Sequence, residues 1–365
     1  MTRLTESYMR DQQVWDACAT TYETRIVQGH PDVLAYEAFE EDLLDRILLY
    51  LVREQGTKIH LYDVGCGSGR LHLRYGMKTA DMANLPPQDA EKVRCLRLFR
   101  SDYAFDHCLA ERLHSIGGLD FSVKMLETAE EKLRNSGLAD LIGIRLLLEQ
   151  GSAFELQPMN AEPLPIAVSV CNSVGVMQGP DGAAELFKSM RRAVEDGGGI
   201  AIISGYRREA VENFALGNYE STMDVCGQPR WVAPDTYAKA QYQQVPHYYK
   251  RAHDSDQSVI VDVFDREGKL VKAGHVLQRD PDAVRHTIIT GHIRTHTDYE
   301  SRWYSFEQFD NWIAEHWSGC TAYHLAGAQI DALRGEPAQF AILDIQGLIG
   351  RLLERWGLHL KGTKD

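Results

Sequence analysis

The chain has 365 residues, 44% hydrophobic and 25% charged, with 30 Gly against 12 Pro, which excludes a fibrous or disordered polymer and allows a sizeable core. Its net charge of −13, without a run of Lys or Arg, disfavours a nucleic-acid partner, and Arg94, Arg97 and Arg100 read as one solvated helix face. Seven scattered Cys, never spaced C-x-x-C, argue against a disulfide framework or a zinc ribbon and fit a reducing compartment.

The first residues, Met1 to Glu6, carry no apolar signal core, and no apolar run approaches the roughly 20 residues that span a bilayer, so a cytoplasmic protein away from membranes is expected. From Met9 to Glu54 the apolar positions Val33, Leu34, Phe39, Leu43, Leu44, Ile47, Leu48 and Leu51 recur at helical spacing. Lys58 to Val64 then predicts a buried strand running into Gly65-Cys66-Gly67-Ser68-Gly69. Strands follow at Ile116–Asp120, Gly143–Leu148, Ile166–Cys171 and Ile200–Ser204, alternating with helices at Val123–Asn135 and Gly182–Glu195. That alternation predicts a parallel sheet with helices on both faces.

Beyond Ser204 the pattern changes. Ser258–Phe264 and Leu270–Val276 flank Asp265-Arg266-Glu267-Gly268, a hairpin signal, and Arg285 to Tyr304 reads as more strand. A helix from Phe306 to His316 and a last strand from Gln339 to Ile345 complete the chain. His286, His292 and His296 fall at spacings that share one face of a continuous strand; without a neighbouring carboxylate or Cys pattern they read as a half-exposed face, and no metal is expected.

Closely spaced glycines where a strand opens into a helix let backbone N–H groups approach a ligand that any Cβ would obstruct. The spacing here is G-x-G-x-G, with Arg70 where the dinucleotide fingerprint needs its last glycine. Leu61-Tyr62-Asp63-Val64-Gly65-Cys66-Gly67-Ser68-Gly69 resembles motif I of the class I S-adenosylmethionine (SAM)-dependent methyltransferases, and Gly118 to Leu126 resembles their second strand and following helix. The resemblance implies a Rossmann-like α/β fold: a seven-stranded, mostly parallel sheet with helices on both faces, an N-terminal helical lid and an antiparallel β insertion over the active site. The segments it implies are a lid over 1–54, a SAM-binding core over 55–204 with an insertion near 73–102, an acceptor-pocket insertion over 205–305, and a completion of the core over 306–365.

By the same resemblance Gly65, Cys66, Gly67 and Gly69 wrap the methionine part of SAM, Asp63 before them is a further cofactor-binding residue, and Asp120 accepts from the ribose hydroxyls. Phe121 and Met125 line the adenine, joined by Ser152, Ala153 and Phe154, with Ser152 standing where many members carry Asp. Cys171 and Asn172 match the fourth-strand position facing the transferred methyl, which makes Asn172 the leading catalytic candidate. Aromatic residues crowd the two lids (Tyr8, Trp15, Tyr22 and Tyr36; Tyr206, Tyr219, Trp231, Tyr237, Tyr242, Tyr248 and Tyr249), and rings facing a sulfonium stabilise its charge, so Tyr22 and Tyr206 are the further catalytic candidates.

Asp120 lies 51 positions beyond Gly69, where about 20 is usual, and the surplus includes Pro86-Pro87. The expected activity is methyl transfer to a small-molecule N, O, S or C nucleophile by direct displacement. Alternatives are a SAM-consuming cyclase forming azetidine-2-carboxylate and methylthioadenosine, a methionine or thioether S-methyltransferase, a non-catalytic SAM-binding module, and, least, a nicotinamide oxidoreductase. The partner is a small molecule, and a homodimer is compatible with the sequence.

Overall fold

The computed structural model describes residues 12, 13, 15, 16, 19, 31–81, 87, 88, 90, 91, 104–138, 145–177, 181–206, 247–254, 258–265, 270–279, 286–292, 297–326 and 338–356; for 31–39, 206, the strands within 247–303, and 326 the description is of the backbone. Helix α1 (Pro31–Leu49) continues as a π-helical turn over Tyr50–Glu54. The chain then lays down β1 (Ile59–Val64), α2 (Arg70–Thr79), α3 (His107–Arg112), β2 (Leu113–Asp120), α4 (Val123–Ser136), β3 (Arg145–Gln150), β4 (Leu164–Ser169), α5 (Gly182–Glu195) and β5 (Ile200–Tyr206).

Strands β3-β2-β1-β4-β5 are neighbours in that order and all parallel. The order turns back between β1 and β4, and ligands of open α/β sheets bind at the carboxyl ends of strands beside such a reversal. Residues along β5 alternate between two cores. Ile200 and Ile202 pack with Leu44, Ile47 and Leu51 of the α1 side, whereas Ala201 and Ile203 pack with Leu186, Phe187 and Met190 of α5. Both faces of β5 are therefore covered, which is why its first residues, Ile200 to Ile203, read as a continuous apolar run.

Five further strands, β6 (His247–Asp254), β7 (Ser258–Asp265), β8 (Leu270–Arg279), β9 (His286–His292) and β10 (Thr297–Tyr304), form a separate antiparallel sheet in the order β10-β9-β8-β7-β6. The β7–β8 hairpin is as the sequence predicts. The continuous strand expected across the three histidines is not formed: β9 ends at His292 and pairs back antiparallel on β10, and His296 lies outside the described residues. Tyr304 ends β10 edge-on to Trp312 of α6 (Phe306–His316), ring centroids 4.7 Å apart. After α6 come β11 (Thr321–Ala326), a strand the sequence pattern does not announce, then β12 (Ala338–Asp344) and α7 (Gly350–Arg355). The antiparallel β12 lies between β5 and β11, so the main sheet has seven strands, mostly parallel.

Two boundaries differ from the sequence reading. Helix α2 runs through Leu73 to Thr79, so the extra length begins beyond it and not at residue 73. The stretch of helical pattern from Met9 to Glu54 is helical at residues 12, 13, 15 and 16 and again from Pro31, with residues 20–30 outside the described ones.

Helix α1 is tied to α2 by charge. Arg74, 3% exposed, gives Nη1 to Glu41 at 2.6 Å and Nη2 to Asp45 at 2.7 Å, while Lys78 reaches Asp45 at 2.8 Å. Ions taken out of water at such depth are stable only together. Replacing Arg74 by Ala removes the cation shared by Glu41 and Asp45 and leaves them Arg70 and Lys78 respectively. Urea unfolding of Arg74→Ala should show a loss of about 3–5 kcal/mol, and the same substitution at the exposed Arg355–Glu54 pair should cost far less.

Candidate functional site

The turn after β1 is left-handed at each glycine: φ is 81° at Gly65, 53° at Gly67 and 78° at Gly69. Such angles are cheap for glycine and cost other residues about 1–2 kcal/mol. The turn folds over the tip of β2, where the N–H groups of Gly65 and Cys66 donate to the Leu119 carbonyl at 2.7 and 3.0 Å. The Gly67 N–H donates to Asp120 Oδ2 at 2.8 Å, and Asp120 Oδ1 accepts from the Ser122 N–H at 2.9 Å. Asp120 is thus not the cap of α4; that place belongs to Ser122, whose Oγ accepts from the Met125 N–H at 3.1 Å.

The three glycines are needed for different reasons. A Cβ at Gly65 would meet Ser173 Oγ at 3.1 Å, and one at Gly69 would meet the Ala129 Cβ at 2.9 Å, so both are packing positions. Around a Cβ at Gly67 no atom of the described residues lies within 4 Å. That glycine borders open space at the switch point of the sheet, where a ligand has room.

Charge at the loop is unbalanced toward acid. Asp63, one residue before the end of β1, is 3% exposed and its Oδ1 has no hydrogen-bond partner. Burial pushes its carboxyl up to about 7, with Arg70 pulling down and Asp120 and Glu40 pushing further up. Burial also raises Asp120, against the pull of the Ser122 and Gly67 N–H groups. The Cys66 thiol is raised by burial and by both aspartates, which makes it a poor nucleophile and a packing element of the loop.

On the α4 side, Met125 is buried against Ala19 and Trp15, and the Phe121 carbonyl accepts from Gln12 Nε2 at 3.2 Å. Asp16 Oδ1 accepts from Ser122 Oγ at 2.6 Å and from the Lys124 N–H at 3.2 Å. The N-terminal segment therefore rests on the two residues assigned to adenine. Ser152, Ala153 and Phe154 form the half-buried turn beyond β3, with Ser152 Oγ accepting from the Phe154 N–H at 3.2 Å. Beyond the end of β4, Cys171 and Asn172 are consecutive left-handed residues, φ 57° and 56°, and Asn172 is 3% exposed. Non-glycine residues held so are strained, and strain of this kind gathers at functional sites. Tyr206 is the last residue of β5, opposite Ala338 on β12. Tyr22, Tyr8, Tyr219, Trp231, Tyr237 and Tyr242 lie outside the described residues, as do Arg94, Arg97 and Arg100.

Sequence reasoning missed Glu40. Its carboxylate, 0% exposed, accepts from the Cys171 N–H at 2.7 Å and from the Ser204 hydroxyl, and pairs with Arg70 Nη2 at 3.2 Å. The available signal was an acid on the apolar flank of α1, next to Leu43 and Leu44. Among the described residues no group of three or more His, Cys, Asp or Glu could hold a metal ion, and no helix is long and apolar enough to cross a membrane.

The sequence matches no protein-family model and no curated protein. Among solved structures it is similar to an S-adenosylmethionine-dependent methyltransferase from Clostridium acetobutylicum, with 13% identity and a TM-score of 0.41 over 92% of this chain and 100% of that one. It is also similar to the CcbJ methyltransferase from Streptomyces caelestis, at 12% identity and a TM-score of 0.44 over 92% and 98% of the two chains. A DhpI–SAH complex matches at 11% identity and a TM-score of 0.41 over 92% and 96%.

Gly67→Ala should lower unfolding free energy by only the backbone cost of about 1–2 kcal/mol, and Gly69→Ala by more, because its methyl also collides with Ala129; chemical denaturation orders the two. Folded Asp63 keeps its proton up to about pH 7, whereas an unfolded Asp loses it near 4, so the folded chain binds the extra proton between them. The stability this residue contributes is complete below about pH 4 and drains away as pH rises to 7, at no more than about 1.4 kcal/mol per pH unit. Denaturation at pH 5 and 7.5 should show Asp63→Asn gaining on the parent chain at the higher pH.

Proposed function

We propose that this chain is a SAM-dependent methyltransferase acting on a small-molecule acceptor at an N, O, S or C nucleophile. The observation that carries the reading is the open space at Gly67, bordered by the Asp120 carboxylate, beside a buried Asp63 oxygen without a partner. These residues fit SAM. Asp63 offers a buried acceptor to its ammonium group, the bare turn at Gly67 admits its methionine part, Asp120 offers two oxygens to the ribose diol, and Phe121, Ala153 and Phe154 offer an apolar edge for adenine, with Met125 buried in the packing beside them.

When bound, SAM supplies a methyl group made electrophilic by the adjoining sulfonium. Direct displacement then asks the protein for alignment and exclusion of water rather than for a nucleophilic side chain. In this reading Asn172, on the strained turn after β4, orients the acceptor beside the methyl. Tyr22 and Tyr206 stay, from their residue type, the candidates for stabilising the sulfonium charge, and the antiparallel sheet of β6 to β10 belongs to the acceptor pocket.

Calorimetry with SAM tests the first half. Binding of an ammonium group to Asp63 needs the carboxylate, so affinity should rise from pH 5 to pH 7 and then level off, with about one proton released per SAM bound at the lower pH. Asp63→Asn should abolish the pH dependence, and Gly67→Ala should weaken binding at least about tenfold, since its methyl fills the ligand's space. Incubation with SAM and a metabolite extract tests the second half. S-adenosylhomocysteine with an acceptor gaining one methyl supports transfer; methylthioadenosine indicates cyclisation; binding with neither product indicates a non-catalytic module. No affinity for SAM removes the proposal.

A further inference from the structure

We infer that Glu40 is a positioning residue that keeps the turn carrying Asn172 in register with the glycine loop. Its effect on ligands rests on the SAM reading above; its geometry does not. The two oxygens of Glu40 serve different parts of the site. Oε1 accepts from the Cys171 N–H at 2.7 Å and from the Ser204 hydroxyl on β5, whereas Oε2 takes Arg70 Nη2 at 3.2 Å. Arg70 is the first residue of α2 and directly follows Gly69. One fully buried carboxylate therefore joins the tips of β1, β4 and β5.

The placement is more than a helix-packing device. The neighbours of Glu40 on α1, Leu43, Leu44 and Ile47, are buried and apolar, and Glu41 with Asp45 already pairs Arg74. A buried charge is costly there unless every contact is charge-assisted, and here the contacts are a backbone N–H, a hydroxyl and a guanidinium. The backbone N–H belongs to Cys171, the first of the two left-handed residues, so Glu40 grips the strained turn at its start. Asn172 follows directly. Where Asn172 sits relative to Gly67 is thus set through Glu40 and Arg70.

The test uses the full-length chain. In Glu40→Gln the acceptor oxygen remains, but the charge and the Arg70 pair are lost. Amide exchange read by mass spectrometry should speed up at least about tenfold in peptides holding Cys171 and Asn172, while Leu43–Leu49 of α1 stays protected. Calorimetry with SAM and S-adenosylhomocysteine should show the ratio of their dissociation constants shifting about fivefold or more, and the same substitution made on Asn172→Ala should leave that ratio unchanged within about twofold, because the effect passes through the Asn172 turn. Equal weakening of both compounds in both backgrounds, or exchange unchanged at Cys171, overturns the inference and leaves Glu40 a stabilising residue. Should Glu40→Gln not fold, Ser204→Ala removes one donor from the same oxygen and should produce a smaller rise in exchange at Cys171; no rise there also overturns it. If the parent chain binds neither compound, the SAM reading fails while the exchange measurements still decide the role of Glu40.

Discussion

The hydrogen bond from the Gly67 N–H to the Asp120 carboxylate, at 2.8 Å, is the contact on which the site depends. A carboxylate at the buried tip of β2 is disfavoured by desolvation, and its remaining oxygen is held by the Ser122 N–H. The glycine turn in its turn needs an acceptor beside β2 to fold back over that strand rather than continue upward. Each stabilises the other. Their union fixes the entrance of α2 and the entrance of α4 at adjacent strand tips, and so places two helix starts and two carboxylates around one opening.

Much of this was legible in the sequence because the residue types leave little choice. Strands buried on both faces are largely apolar, so Leu164–Ser169 and Ile200–Tyr206 stand out, Ile59–Val64 shows by its apolar residues running straight into the glycine loop, and the turn residues between strands mark where helices begin. Gly65, Gly67 and Gly69 show in sequence because no other residue takes φ between 53° and 81° at low cost. Asp120 shows because an acid at the end of an apolar strand has to meet donors. What sequence could not separate is the work of the three glycines, since only the space around each distinguishes the two that avoid Ser173 and Ala129 from the one that faces an opening.

The parts that escaped were held by pairing rather than by pattern. Glu41 and Asp45 on α1 have the four-residue spacing of a solvated helix face, as do Arg70, Arg74 and Lys78 on α2. Each stripe alone looks like surface; facing each other they are interior. Strand β11 escaped for a related reason. Thr321–Ala326 has weak apolar periodicity, and what holds it is the ladder it makes with β12 at the sheet's margin. The left-handed pair Cys171–Asn172 carries no glycine to announce it, and one of its anchors is the carboxylate of a helix more than a hundred residues earlier in the chain.

Seen together, the departures from ordinary packing point one way. Several buried hydroxyl or ring atoms lack a hydrogen bond, among them Tyr75 Oη and Ser169 Oγ, but among the described residues Asp63 is the carboxylate so placed. An unpaired hydroxyl costs about 1–3 kcal/mol, whereas an ionised carboxylate without a partner costs enough that the group keeps its proton instead. Arg70 is near enough to pull on Asp63, yet its guanidinium is committed to Glu40 and Glu41. The chain thus holds a cation beside Asp63 without giving it over. Among the described residues that leaves a buried acid without a countercharge of its own, close to Gly67, the glycine of the loop that faces open space; under the proposed function a cationic ligand entering there would displace the proton and supply the missing charge.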